Sequence, residues 1–120
     1  MTYLLDTNAI IYLLSGKAIW RPEPDALLMT SIVSHIELLG WAKLSPDEDA
    51  SIRRFLQRVT TCQITEDILE PAISLRKLHH LKTIDSIVAA TCMREGAVLV
   101  TNDRQLLKLG IVQCLPITAN

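Results

Sequence analysis

The chain has 120 residues, a formal net charge of −1, 49% hydrophobic residues and only 4% aromatic ones. That length supports a single domain over residues 1–120 with an aliphatic core. The even charge balance excludes a surface that coats nucleic acid broadly, but it leaves room for a basic rim beside an acidic pocket.

In chain order, Tyr3-Leu4-Leu5 reads as a short buried strand, followed by a helix over Asn8–Leu14 that ends at Ser15-Gly16-Lys17, where glycine suits the left-handed turn common after a helix. The first strand begins within three residues, which predicts no signal peptide. Two prolines make Arg21–Asp25 a loop, and 27–32 reads as a second strand. Ser34-x-x-Glu37 has the form of a capping box ahead of Leu38–Ala42. Pro46-Asp47-Glu48-Asp49 opens the next helix with acids that suit its dipole. That helix has Ile52, Phe55, Leu56 and Val59 on one face and Arg53, Arg54 and Arg58 on the other.

Cys62-Gln63-Ile64 reads as a strand, and Thr65 as the cap of a helix with Ile68, Leu69, Ala72, Leu75 and Leu78 turned inward. Asp85–Arg94 is predicted helical, stopped by Gly96. Ala97–Thr101 is the clearest strand, Arg104–Leu109 a short helix and Ile111–Leu115 a last strand. Strands alternating with helices imply a parallel sheet covered on both faces. No stretch approaches the roughly 20 apolar residues that cross a bilayer. Cys62, Cys92 and Cys114, odd in number and set among apolar neighbours, read as buried free thiols of a cytoplasmic protein.

Asp6, Glu37, Asp85 and Asp103 stand out, each read as lying where a strand turns into a helix. Taken singly, each can be a cap or a first-turn acid. Taken together they point to the carboxyl edge of a parallel sheet, where ligands bind. Two carboxylates about 4 Å apart repel by roughly 4 kcal/mol at an effective dielectric of 20. A gathered set therefore calls for protonation or a hard divalent cation, and such a cation suits attack on a phosphodiester. Thr7, Asn8, Thr101 and Asn102 are candidates to orient a carboxylate or a bound water. They also suit ordinary turn chemistry.

Leu4-Leu5-Asp6-Thr7-Asn8, Ser34-x-x-Glu37-Leu38, Asp85-x-x-Val88-Ala89-Ala90-Thr91 and Leu99-Val100-Thr101-Asn102-Asp103 together resemble the PIN domain, most closely the VapC-type toxins of prokaryotic toxin–antitoxin pairs. The resemblance spans essentially the whole chain. It implies a three-layer α/β/α fold with a central parallel sheet of about five strands, and an endoribonuclease dependent on Mg²⁺ or Mn²⁺. Asp6, Glu37, Asp85 and Asp103 would be its catalytic, metal-holding acids. It further implies a homodimer and a cognate VapB-like antitoxin lying in a hydrophobic groove with a basic side chain near the acids.

Two departures are visible: Gln105-Leu106 stands where the family often has an Asp-Phe pair, and no proline precedes Asp85. Trp20 and Trp41 are candidate interface anchors or core-edge residues. Lys82, Arg76 and Arg54 are candidate RNA contacts, with Lys82 favoured for its closeness to Asp85. Two other readings stay open, a non-catalytic interaction module and a phosphomonoester hydrolase working through an aspartyl-phosphate. The hydrolase would want a second Asp where Asn8 stands.

Overall fold

The computed structural model describes residues 1–117. Five strands, β1 (Thr2–Leu5), β2 (Leu27–Ser31), β3 (Thr60–Cys62), β4 (Val98–Val100) and β5 (Cys114–Leu115), form one sheet in the order β3-β2-β1-β4-β5. Every pairing is parallel, with Leu4 opposite Met29 on one side and Leu99 on the other. The helices are α1 (Thr7–Leu14), α2 (Ile32–Leu39), α3 (Pro46–Leu56), α4 (Leu69–His79), α5 (Thr83–Glu95) and α6 (Arg104–Lys108), with a 3₁₀ turn at Glu66–Ile68 leading into α4. The expected three-layer α/β/α architecture is observed.

The layers follow from the strand period. Successive side chains point to opposite faces, so Leu4 and Leu99 enter one core while Tyr3, Leu5, Val98 and Val100 enter the other. The first core is closed by Ile68, Ala72 and Leu75, by Val88, Ala89 and Cys92 of α5, and by Leu106 of α6. The second is closed by Ala9 and Ile10 of α1, Leu38 of α2, and Ile52 and Leu56 of α3. Leu4, Leu5, Ile10 and Leu99 are all but fully buried, each worth about 1.5–3 kcal/mol.

Several local expectations change. The Ser34 capping box does not form: α2 starts three residues earlier, capped by Ser31, whose Oγ accepts from the Val33 N–H at 3.3 Å. Ser34 is buried inside α2, which ends at Leu39, leaving Trp41 and Ala42 outside it. A reciprocal capping box exists instead between Ser45 and Glu48 at the start of α3. The third strand lies two residues earlier than expected, because it pairs Thr60 with Met29 and Cys62 with Ser31. Thr65 makes no side-chain cap, and Leu69 and Leu78 face solvent rather than the core. The cysteines are free, with Cys62 and Cys92 buried and Cys114 half-buried. Burial pushes the Cys92 thiol up to about 12. Among the described residues no helix is long and apolar enough to cross a membrane.

Candidate functional site

The chain winds from β1 outward to β2 and β3, then crosses back to add β4 and β5 on the other side. The switch point lies between β1 and β4, where open parallel sheets bind ligands beyond their carboxyl ends. Asp6 leaves β1 at that edge, and its N–H donates to the Val100 carbonyl at 3.2 Å. Thr101, Asn102 and Asp103 leave β4 beside it.

Asp6 caps α1, its Oδ1 accepting from the Ala9 N–H at 2.8 Å and its Oδ2 from the Thr101 hydroxyl. Asp103 caps α6, its Oδ1 accepting from the Leu106 N–H at 3.0 Å. Thr101 is fully buried and links the two acids, because its Oγ1 also accepts from the Asp103 N–H at 3.0 Å. Their role as caps is therefore real and coexists with convergence.

The other two acids arrive differently from the expectation. Glu37 lies within α2 rather than at a strand-to-helix turn, and Oε1 of its carboxylate accepts from the Thr7 hydroxyl. Asp85 sits in the first turn of α5, which follows α4 rather than a strand. α5 runs back toward the start of the parallel strand β4, so its N-terminus lies at the edge that carries Asp6 and Asp103.

The four acids lie near enough to feel one another's charge. Burial raises the Asp6 carboxyl above the usual carboxylate range; the bonds from Thr101 and Ala9 oppose this, and the charges of Asp103 and Glu37 reinforce it. Burial likewise raises Asp85, reinforced by Asp103, Asp6 and Glu37 and opposed by Lys82.

Of the polar neighbours, Thr7 and Thr101 hold acids directly. Asn8 is exposed in the first turn of α1. Asn102 is turned to a different task, its amide donating to the Ile117 carbonyl at 3.2 Å and accepting from the Ile117 N–H at 2.8 Å. Lys82 is the exposed residue preceding α5, and Arg76 donates to the Thr83 hydroxyl at the start of that helix. Arg54 is exposed in the last turn of α3. Trp20 packs edge-on against Tyr3, with ring centroids 4.9 Å apart, at the edge of the second core.

Trp41 is 56% exposed and lines a groove of about 760 Å³ with Ile11, Leu14, Ile36 and Leu44, and Thr7 and Glu37 also line it. Sequence reasoning missed Ser34 as a partner of Thr7, at 3.0 Å. Its small side chain on the buried side of α2 was the available signal.

The donor set suits an oxygen-preferring divalent ion, since Asp6, Glu37, Asp85 and Asp103 offer only carboxylate oxygens. Burial first and the neighbouring acids second raise the Asp6 and Asp85 carboxyls, and a bound cation would offset the cost of their charge. Among the described residues, no three or more His, Cys, Asp or Glu side chains are grouped so that they could hold a metal ion as they stand. The fit is thus one of donor chemistry and charge.

The family model described as the PIN domain matches residues 3–112, and the chain belongs to that family. Among solved structures it is similar to VapBC2 from Rickettsia felis bound to a DNA fragment from their promoter, with TM-score 0.82, 18% identity, and 98% of this chain and 100% of that one covered. It is also similar to a toxin–antitoxin complex from Klebsiella pneumoniae, with TM-score 0.75, 27% identity and coverage of 90% and 92%. A third similar structure is VapBC-1 from nontypeable Haemophilus influenzae, with TM-score 0.76, 24% identity and coverage of 97% and 98%. No curated protein matches the chain.

Proposed function

We propose that this PIN domain is a metal-dependent endoribonuclease acting as the VapC-like toxin of a toxin–antitoxin pair. The observation that carries the reading is the approach of four acids from four separate segments to the switch point of the sheet, where Asp6 and Asp85 feel the charges of the others. Asp6, Glu37, Asp85 and Asp103 would hold Mg²⁺ or Mn²⁺, which supplies Lewis-acid polarisation of a phosphoryl oxygen and a more acidic water.

The chain's own residues do the rest. Ala9 and Thr101 fix the Asp6 carboxylate, and Leu106 fixes that of Asp103, so neither has to be ordered when the substrate arrives. Lys82, which precedes α5, and Arg76, which reaches the start of α5 from the last turn of α4, suit contacts to the RNA backbone.

The apolar groove that includes Glu37 suits an amphipathic segment of a VapB-like antitoxin with a basic residue at its acidic end. A homodimer belongs to the same proposal, and α4 leaves Leu69, Ile73 and Leu78 exposed for such contacts.

The test uses the purified chain, Mn²⁺ or EDTA, and total RNA. Mn²⁺ is expected to raise Tm and to be required for cleavage. Asp6→Asn keeps the helix cap, because Asn also accepts at that position, yet loses both effects. Cleavage by Asp6→Asn at the wild-type rate would overturn the assignment and favour a non-catalytic role for the acids.

A further inference from the structure

The hydrogen bonds of Thr7 admit one direction. Its Oγ1 touches both Oε1 of Glu37 and, at 3.0 Å, Oγ of Ser34. A carboxylate only accepts, and a hydroxyl carries a single proton. Two oxygens as close as those of Thr7 and Glu37 need that proton between them, so the Thr7 proton goes to Glu37. The contact with Ser34 is then filled by the Ser34 proton, donated to Thr7.

From this geometry we infer that Ser34 and Thr7 form a two-hydroxyl relay that holds Glu37 beside Asp6 for cation binding. The inference rests on the functional reading above. Ser34 is fully buried, so the relay is anchored in the core, while Glu37 is exposed on α2. Thr7 directly follows Asp6 in the chain, which ties the position of the exposed acid to that of the half-buried one. Both are positioning residues, acting through Glu37 and not on the substrate.

The relay predicts an order of effects. Thr7→Val removes the proton that holds Glu37. Ser34→Ala leaves that proton in place but frees the Thr7 hydroxyl to turn. With Thr7 already gone, Ser34 has nothing to pass on, so the double variant matches Thr7→Val. Thr7→Ser retains the relay.

The experiment measures Mn²⁺ affinity from the resonance of free Mn²⁺ in solution, with Tm in EDTA as the check on folding and RNA cleavage alongside. Loss of an outer hydrogen bond weakens metal affinity by about tenfold or more, so Thr7→Val is expected to bind about tenfold more weakly and Ser34→Ala about threefold. Thr7→Ser is expected to restore binding, and the double variant to be no worse than Thr7→Val. Wild-type affinity in Thr7→Val, or losses that multiply in the double variant, would overturn the relay alone, provided Asp6→Asn and Glu37→Gln both lose Mn²⁺. A wild-type chain that neither binds Mn²⁺ nor cleaves RNA would overturn the functional reading and the relay with it.

Discussion

Replacing Thr101 by valine removes one hydroxyl from a fully buried position and changes the shape of the side chain very little. That hydroxyl donates to Asp6 and accepts from the Asp103 N–H. A hydrogen bond to a charged group is worth about 1.5–3 kcal/mol, and an orphaned buried N–H costs about 1–3 kcal/mol. Both groups are only partly buried and valine gains in apolar burial, so the net loss should be about 3 kcal/mol. Unfolding entropy of about 2.1 cal/mol/K per residue over the whole chain converts this to a fall in Tm of about 12 °C. Thermal unfolding in EDTA measures it.

Thr101→Ser keeps both bonds and loses only a methyl, so it should fall by about 1 kcal/mol. The Thr101 bond also opposes the upward shift of Asp6, so in Thr101→Val the Asp6 carboxyl should titrate at higher pH than in wild type, as followed by carbon NMR. If valine and serine are equally stable, or if Asp6 titrates identically in Thr101→Val and wild type, the bridging role of Thr101 is refuted.

Asp85 has a folded pKa raised above its unfolded value, first by burial and then by the other acids. Its charge therefore costs the folded state stability above the raised pKa, and this penalty disappears as pH falls toward the ordinary value of about 4. Asp85→Asn should raise the Tm of the metal-free chain at pH 7 through relief of repulsion of about 1 kcal/mol. The gain should shrink to nothing near pH 4 and reverse when Mn²⁺ is added, which melting curves at several pH values check. Gly40 ends α2, and a Cβ there would meet the Ile36 carbonyl oxygen at 2.5 Å. Gly40→Ala should thus cost about 1–3 kcal/mol, measurable as a lower urea midpoint, and should disturb the groove beside Glu37 and Trp41.

The alternation of strands and helices and the four acids were legible in the sequence because each marks a break in hydrophobic patterning. Leu4-Leu5 before Asp6 and Leu99-Val100 before Asp103 read as buried strands entering turns, and burial of those side chains is what sets Asp6 and Asp103 on one edge. Local patterns misled where two registers satisfied the same rule. Ser34-x-x-Glu37 has the form of a cap, yet pairing of β2 with β3 carries the strand to Ser31, and Ser31 takes the cap. Leu69 and Leu78 fit an inward stripe, but α4 packs against α5, and Ala72 and Leu75, with Ile68 just before the helix, are the residues that this packing buries.

Chain order and hydrophobic periodicity thus determined the class of fold and singled out four carboxylates, since both signals are read over a few residues. Contacts between distant segments decided the rest: Thr101 bridging Asp6 and Asp103, Asn102 committed to Ile117, and Ser34 reaching Glu37 through Thr7. Hydrogen bonds are directional and short-ranged, so their partners exist only once packing has brought the segments together.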